Sequence, residues 1–421
     1  MTLLTLLPPT MHHKRTTCRA CGASELELFL PLGQVALANS FLRSPAEFAG
    51  ELRFPLDVHF CRRCTMVQLV DVIDPEVLFR NYLYVTGTSD TIAAHNVEYA
   101  KTVVEFTHAG AKELVVEVAS NDGSLLARFA RHGVRTLGVE PATNIAAKAS
   151  AAGVPTVNRF FDSACAAELL AEHGPARAVI GNNVLAHVDD PVDLLRGFKV
   201  LLDGSGLAIV EVPELAEFVE RLEYDTVYHE HLSYFSVTSL MRVCEEAGLR
   251  IVRIDRVPVH GGSVRMYAAP VERVRDHAEA VRALSRQETA NGIARPERLH
   301  QFARDVQANR AALLELLDGL IASGKTIGGY GAPAKGNTLL NYCGITTERL
   351  PWTVDKSPLK VGLYTPGSHI PVLPASELLA RQPDFCLILA WNFAEEIQRQ
   401  QAEYARRGGR FLLPLPSPRV V

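Results

Sequence analysis

Short, uninterrupted apolar runs alternate with stretches of helical spacing through the middle of the chain. Residues 114–118, L-V-V-E-V, read as a buried parallel strand. A turn of small residues follows, Ala119 to Gly123, and then Leu125, Leu126 and Phe129 at helical spacing, with His132-Gly133 as the stop. A second strand, 136–139, ends on an acid, Glu140. The pattern predicts a βαβ unit whose turn brings backbone N–H groups and a helix N-terminus close to a ligand. Further strands are predicted before F-F-D-S (160–163), at 176–182 and at 206–213. Their polar ends, Asp162, Asn182-Asn183 and Glu211, fall where open α/β sheets bind ligands. From Lys325 the pattern starts again. K-T-I-G-G-Y-G-A-P-A-K-G-N-T reads strand, glycine-rich turn, helix, and later strands end at Asp355-Lys356 and Trp391-Asn392.

The ligand of the first βαβ unit need not be a dinucleotide. G-x-G-x-x-G is absent: Gly123 is present, and Ala119 stands where the first glycine would fall. E-V-A-S-N-D-G resembles instead motif I of class I S-adenosylmethionine (SAM) methyltransferases, E-x-G-x-x-x-G. Glu140 is then expected to accept hydrogen bonds from the two ribose hydroxyls. The candidate cofactor residues are Glu117, Ala119, Asn121, Gly123, Glu140 and Pro141, with Asp162, Asn182, Asn183 and His187 at the later strand ends.

A length of 421 residues implies two or three domains. A charged fraction of 21% and a net charge of -4 are those of a globular protein with no call for nucleic acid or an anionic membrane. No run approaches the roughly 18 apolar residues of a membrane span. The expected divisions are a disordered leader (1–15, with Met11 as an alternative start), a zinc lobe (16–80), a cofactor domain (81–270), a helical connector (271–322) and a C-terminal Rossmann-like lobe (323–421). Four of the eight cysteines form two C-x-x-C pairs, Cys18/Cys21 and Cys61/Cys64, 39 residues apart. Two such turns supply four thiolates to a tetrahedral Zn²⁺ and leave no open coordination position, so the metal is structural. The remaining cysteines are scattered in apolar surroundings, as expected in a reducing cytoplasm.

Three further stretches carry chemistry. R-N-Y-L-Y-V-T-G-T-S-D, with Tyr82 and Tyr84, is either an exposed linker or a lid that offers tyrosines to a polar substrate. In Y-H-E-H, Tyr228, His229, Glu230 and His231 are adjacent. They do not match H-E-x-x-H and do not share a helix face, which favours acid–base chemistry over a metal, with satisfied polar groups between domains as the alternative. P-V-H-G-G-S-V-R-M-Y is expected as one strand interrupted by Gly261-Gly262, where His260 and both glycines allow close approach and Arg265 pairs with a phosphate. In the C-terminal lobe, Tyr330, Gly331, Ala332, Lys335 and Asn337 suit a diphosphate at a helix N-terminus. Asp355, Lys356, Trp391 and Asn392 lie at later strand ends, with Trp391 able to stack on a base. The lobe is otherwise an oligomerisation module.

Two C-x-x-C pairs, the SAM-type βαβ unit, Y-x-E-H, P-V-H-G-G-x-V-R, Y-G-A-x-A-K, T-P-G-x-H-I-P-V and A-W-N-x-A-E-E-I occur in one order over residues 16–416. Together they closely resemble the sugar C-methyltransferases of nucleotide-linked deoxysugar pathways, which methylate C-3 of dTDP-4-keto-6-deoxyhexoses. The resemblance implies an α/β protein with an N-terminal zinc lobe, a central class I SAM domain and a C-terminal Rossmann-like domain holding a dTDP-sugar. It further implies His231 as the base, with Tyr228 and Glu230 at the family spacing, and a sugar contact from Tyr82 or Tyr84. A monomer or homodimer is expected. Ala119 departs from the usual glycine. An O-methyltransferase, or a zinc-ribbon scaffold with a vestigial SAM fold, are the rival readings.

Overall fold

The computed structural model describes residues 11–80, 90–259, 261–293 and 295–421. Tyr82, Tyr84 and His260 lie outside the described residues. The chain forms two compact units that interleave in sequence. One comprises residues 1–27, 60–215 and 232–294, the other residues 28–59, 216–231 and 295–421.

The first unit is built on a seven-stranded sheet. From one edge its strands are Leu249–Val257, Ser263–Pro270, Leu202–Pro213, Ala176–Asn182, Leu114–Val118, Arg135–Val139 and Thr156–Val157. The last five are mutually parallel. Chain direction along the sheet reverses between Leu114–Val118 and Ala176–Asn182, a switch point of the kind at which α/β sheets take ligands. Every residue of Leu114–Val118 is buried, as a strand covered on both faces requires. Two apolar clusters cover the two faces. One includes Leu126 and Phe129 of the helix after the motif turn, with Tyr99 and Val103 of helix Asp90–Thr107.

The segment expected as one glycine-interrupted strand is a hairpin. Leu249–Val257 and Ser263–Pro270 pair antiparallel down to Val257 opposite Ser263. Gly261 and Gly262, at φ 98° and 132°, supply the backbone that the turn needs. The expected 271–322 connector divides as well. Helix Glu279–Asn291 belongs to the first unit, ends on the left-handed Gly292, and is followed by helix Pro296–Ala322 of the second unit.

The second unit carries a six-stranded sheet in the order Val372–Pro374, Thr353–Asp355, Ile327–Tyr330, Phe385–Ile388, Arg410–Leu413, Arg419–Val420. All neighbours are parallel except the last pair. This 3-2-1-4-5-6 order is that of a dinucleotide-type sheet, with its switch point between the first and fourth strands. Residues 28–59, expected with the zinc lobe, join this unit. Leu42 and Tyr364 form an antiparallel bridge, and Asn337, fully buried, donates to the Ala38 carbonyl at 2.7 Å.

Candidate active site

The two C-x-x-C pairs fold into matching knuckles. In the first, Cys18 N–H donates to Ala23 O and Gly22 N–H to Cys18 O. In the second, Cys61 N–H donates to Met66 O and Thr65 N–H to Cys61 O. Gly22 and Thr65 take the same left-handed turn position, at φ 70° and 63°. All four Sγ atoms lie within 4.8 Å of one another, with Cys18–Cys64 at 3.5 Å and Cys21–Cys61 at 3.7 Å. A tetrahedral zinc at 2.3 Å from each sulfur requires sulfurs about 3.8 Å apart. Bonding from Cys64, opposed by burial and assisted by Gln68 and backbone N–H groups, pulls the Cys18 thiol down to about 4, the ionised state a metal needs. Arg19 and Arg15 extend from this knuckle to Asp189, at 3.3 and 3.0 Å, in the loop that follows the Ala176–Asn182 strand.

At the switch point of the first sheet, Glu117 Oε2, Ser120 Oγ, Asn182 Oδ1 and Asn183 Oδ1 are buried and find no hydrogen-bond partner among the described residues. Such atoms call for a ligand or water. Burial, reinforced by Asp122 and Glu140, pushes the Glu117 carboxyl well above the usual range. Three non-glycine residues here are left-handed: Ala119 at φ 55°, Asn121 at 50° and Asn183 at 58°. Gly138 admits the turn, because a Cβ there would lie 2.5 Å from Ser120 Oγ. Glu140 accepts Asn121 N–H at 2.8 Å and Ala142 N–H at 2.7 Å, one on each oxygen. A carboxylate oxygen has a second acceptor position, so both remain open to hydroxyls. Burial raises its pKa, and the two N–H groups oppose the rise. Pro141 carries its carbonyl to Arg80, Asp162 caps helix Ser163–His173 through Cys165 N–H, and His187 stacks on Phe79 at 5.6 Å.

Arg265 does not serve as an open phosphate site. It sits opposite Glu211 across paired strands, makes a 2.8 Å ion pair with it, and is 4% exposed. His95 Nε2 lies 2.9 Å from an oxygen of the same carboxylate, which can only accept from it. Burial alone would raise the Glu211 carboxyl, but His95 and the charge of Arg265 more than offset it and leave it lowered. His95 had no sequence signal, since its partner is more than a hundred residues away.

In the second unit, His231 Nδ1 lies 2.8 Å from the Thr226 carbonyl and Nε2 lies 2.7 Å from the Tyr228 hydroxyl. A carbonyl only accepts, so Nδ1 carries the proton and Nε2 presents its lone pair to the Tyr228 O–H. Glu230 is buried and accepts from Asn39 Nδ2 at 2.7 Å. His229, 1% exposed, faces the Pro55 carbonyl and the edge of Phe54.

In the Rossmann-like lobe, Trp391, expected to stack on a base, donates its indole N–H to Asp225 at 2.6 Å and lies 5.1 Å from Lys335. Lys335, whose Nζ is buried with no hydrogen-bond partner among the described residues, faces the buried Glu223 and Asp225. Asn337 is tied to Ala38, as above, and Lys356 lies exposed beside Gln400 and Glu396. Tyr330 receives Gln401 on its hydroxyl, Gly331 turns at φ 91°, and Asn392 lies in the short 3-10 helix Trp391–Phe393. Ala332 N–H donates to Asp355 at 2.7 Å, and Ser357 N–H donates to its other oxygen at 2.8 Å.

A closed four-thiolate centre, together with a parallel sheet whose switch point gathers orphaned polar groups beneath an acid-clamped turn, defines a zinc-bearing SAM methyltransferase. Family models match in the same terms: a zinc binding domain over residues 18–79, a methyltransferase domain over 93–254, and a C-methyltransferase C-terminal domain over 258–416. The chain is 39% identical to the C-methyltransferase NovU of Streptomyces niveus over 404 residues, 96% of each chain. It belongs to this C-methyltransferase family and is a SAM-dependent C-methyltransferase. A SAM-dependent methyltransferase of Clostridium acetobutylicum aligns over 42% of this chain and 92% of its own, at 9% identity and a TM-score of 0.35. Magnesium protoporphyrin IX methyltransferase of Synechocystis, solved with SAM, aligns over 42% and 81%, at 15% identity and a TM-score of 0.32. No helix among the described residues is long and apolar enough to cross a membrane.

Proposed function

We propose that the protein methylates C-3 of a dTDP-4-keto-deoxyhexose, with His231 as the base. The observation that carries this reading is the fixed tautomer of His231: Thr226 O holds the proton on Nδ1, so that Nε2 presents its lone pair to the Tyr228 hydroxyl. A C–H bond beside a ketone is acidic enough for such a base, because the charge left behind spreads into the enolate oxygen. Nε2 removes the C-3 proton. The Tyr228 hydroxyl, displaced from Nε2 by the substrate, donates to the developing oxyanion. Glu230, held by Asn39, orients the sugar, with Tyr82 or Tyr84 as a further contact. The bound cofactor supplies an electrophilic methyl group to the resulting carbon nucleophile, and the residues around the first sheet's switch point align it.

The test is incubation with SAM and dTDP-4-keto-6-deoxyhexoses, with NMR of the product. A new methyl carbon on C-3 is expected; a methoxy signal would replace this reading with O-methylation. His231→Asn should bind SAM as the wild type does and lose about 10²–10⁴ in rate. It should also lose exchange of the C-3 hydrogen with D₂O, while His229→Asn keeps that exchange.

A further inference from the structure

Just before His231, the chain makes a short 3-10 turn, Tyr224–Thr226, in which Tyr224 and Asp225 are fully buried. Groups from the C-terminal part of the same unit grip this turn residue by residue. The Tyr224 hydroxyl donates to Asn309 Oδ1 at 2.9 Å, and Asn309 Nδ2 donates to the Pro414 carbonyl at 3.0 Å. Asp225 Oδ2 accepts the Trp391 indole N–H at 2.6 Å, from the 3-10 helix that follows strand Phe385–Ile388. The Val227 carbonyl accepts Thr338 Oγ1 at 2.9 Å. Lys335, in the first turn of helix Ala334–Cys343, brings the only cation named against Asp225. Burial pushes the Asp225 carboxyl up, and the charge of Lys335, the Trp391 N–H and the N–H groups of Asp225 and Thr226 oppose that rise. Between the two pinned residues, Asp225 and Val227, lies the Thr226 carbonyl, 2.8 Å from His231 Nδ1.

Resting on His231 as the base, we propose that Trp391 and Lys335 are positioning residues for the reaction: they hold Asp225 from the C-terminal sheet and so fix the Thr226 carbonyl that keeps the His231 proton on Nδ1. The chain of cause runs through hydrogen bonds already described. An ionised carboxylate makes the shorter and more directional bond to an N–H, so the charge of Lys335 and the Trp391 donor act on the same acceptor. With Asp225 and Val227 both held, the carbonyl between them cannot turn from the ring. A neutral imidazole carries one proton, and the hydrogen bond made by one nitrogen decides which nitrogen has it. Once Thr226 O swings away, the ring can place its proton on Nε2, and an Nε2–H cannot take a proton from carbon. The Tyr228 hydroxyl, 2.7 Å from Nε2, can accept from that wrong tautomer as readily as it donates to the right one, so it does not set the choice. Neither Trp391 nor Lys335 needs to touch the reacting atoms for this.

Nitrogen-15 NMR of the full-length protein labelled in histidine, alongside steady-state kinetics, tests the coupling. Wild-type His231 should show one neutral tautomer, with its proton on Nδ1. Trp391→Phe, which keeps the ring and removes the N–H, should bring in the Nε2–H tautomer and lower kcat about 10- to 100-fold. SAM affinity and the sugar KM should stay within about twofold, since the loss falls on the chemical step. Lys335→Met should act in the same direction, and Lys335→Arg should restore both the tautomer and most of the rate. An unaltered His231 tautomer in Trp391→Phe and Lys335→Met overturns the proposal, even if turnover falls, because the residues would then serve the fold alone. A shifted tautomer with wild-type kcat overturns it as well. His231→Asn separates the two readings: its full turnover removes the base, and the proposal with it, whereas an inactive His231→Asn beside unshifted tautomers removes the positioning role alone.

Discussion

Glu140 clamps the turn after the first strand, and its removal has a size that follows from two distances. The carboxylate is 5% exposed and accepts Asn121 N–H at 2.8 Å and Ala142 N–H at 2.7 Å. A hydrogen bond to a charged group contributes about 1.5–3 kcal/mol, and a buried donor left bare forfeits its share. Glu140→Ala bares both amides. Glu140→Gln offers one carbonyl oxygen and turns an NH₂ donor toward the other amide, so it should cost about half as much. A global unfolding free energy is a poor readout for a chain of two compact units. Amide hydrogen exchange at Asn121 and Ala142 reads the clamp directly. In Glu140→Ala both should lose about 10- to 100-fold in protection, and in Glu140→Gln chiefly one. SAM affinity should fall at least about tenfold in Glu140→Ala, measured by calorimetry with the sheet's exchange unchanged. Unaltered protection at both amides would refute the clamp, and unaltered SAM affinity would remove the ribose role while leaving the clamp in place.

Metal analysis should find one zinc per chain, and Cys61→Ser should lose it and unfold the knuckles; a folded, metal-free, fully active protein would contradict the site. Ala119→Gly should raise amide-exchange protection in the turn from Ala119 to Gly123. A left-handed alanine costs about 1–2 kcal/mol and the extra unfolded-state freedom of glycine about 0.4–1, for a net gain of about 0.5–1 kcal/mol. Unchanged or lowered protection there would show an unstrained turn. Burial pushes the Glu223 carboxyl up to about 7, with Lys335 opposing and Asp225 adding to the rise. A raised carboxyl stabilises fully below its unfolded value of about 4.5 and loses that contribution as pH rises through 7, on the order of 3 kcal/mol. Glu223→Gln should therefore gain on the wild type between pH 5 and 8 in thermal melting, and parallel curves would rule the shift out.

What was legible in the sequence is what depends on near neighbours. Leu114–Val118 shows as a strand because all five residues are buried, so no polar residue except Glu117 interrupts it. The zinc knuckles show because each turn is closed within six residues. What stayed hidden depends on partners far along the chain. Arg265 looked like a free cation until Glu211 appeared across the strand, and the carboxylates of residues 223–225 that face Lys335 lie about a hundred residues before it. Residues 28–59 lie between the zinc lobe's cysteines, and nothing near them in sequence announces the Leu42–Tyr364 bridge and the Asn337–Ala38 bond, each spanning about three hundred residues.

Glu140 and Asp355 also share a construction that neither motif announces. Each ends the second strand of its own parallel sheet and accepts an N–H from the turn after the first strand, Asn121 or Ala332. Each accepts another N–H two residues further on, Ala142 or Ser357. The two bonds fix both oxygens before any ligand arrives and leave one acceptor position on each. A hydroxyl can then be received without reorganising the acid, and preorganisation of this kind is where binding gains most of its advantage. The cost is carried by the fold, as the raised Glu140 carboxyl records. Where the clamping oxygens also receive a ligand hydroxyl, Asp355→Asn should loosen the Ala332 amide and weaken a nucleoside ligand together. Glu140→Ala should do the same to Asn121 and SAM. Loss of one effect without the other, in either sheet, would mean that the carboxylate serves the turn alone.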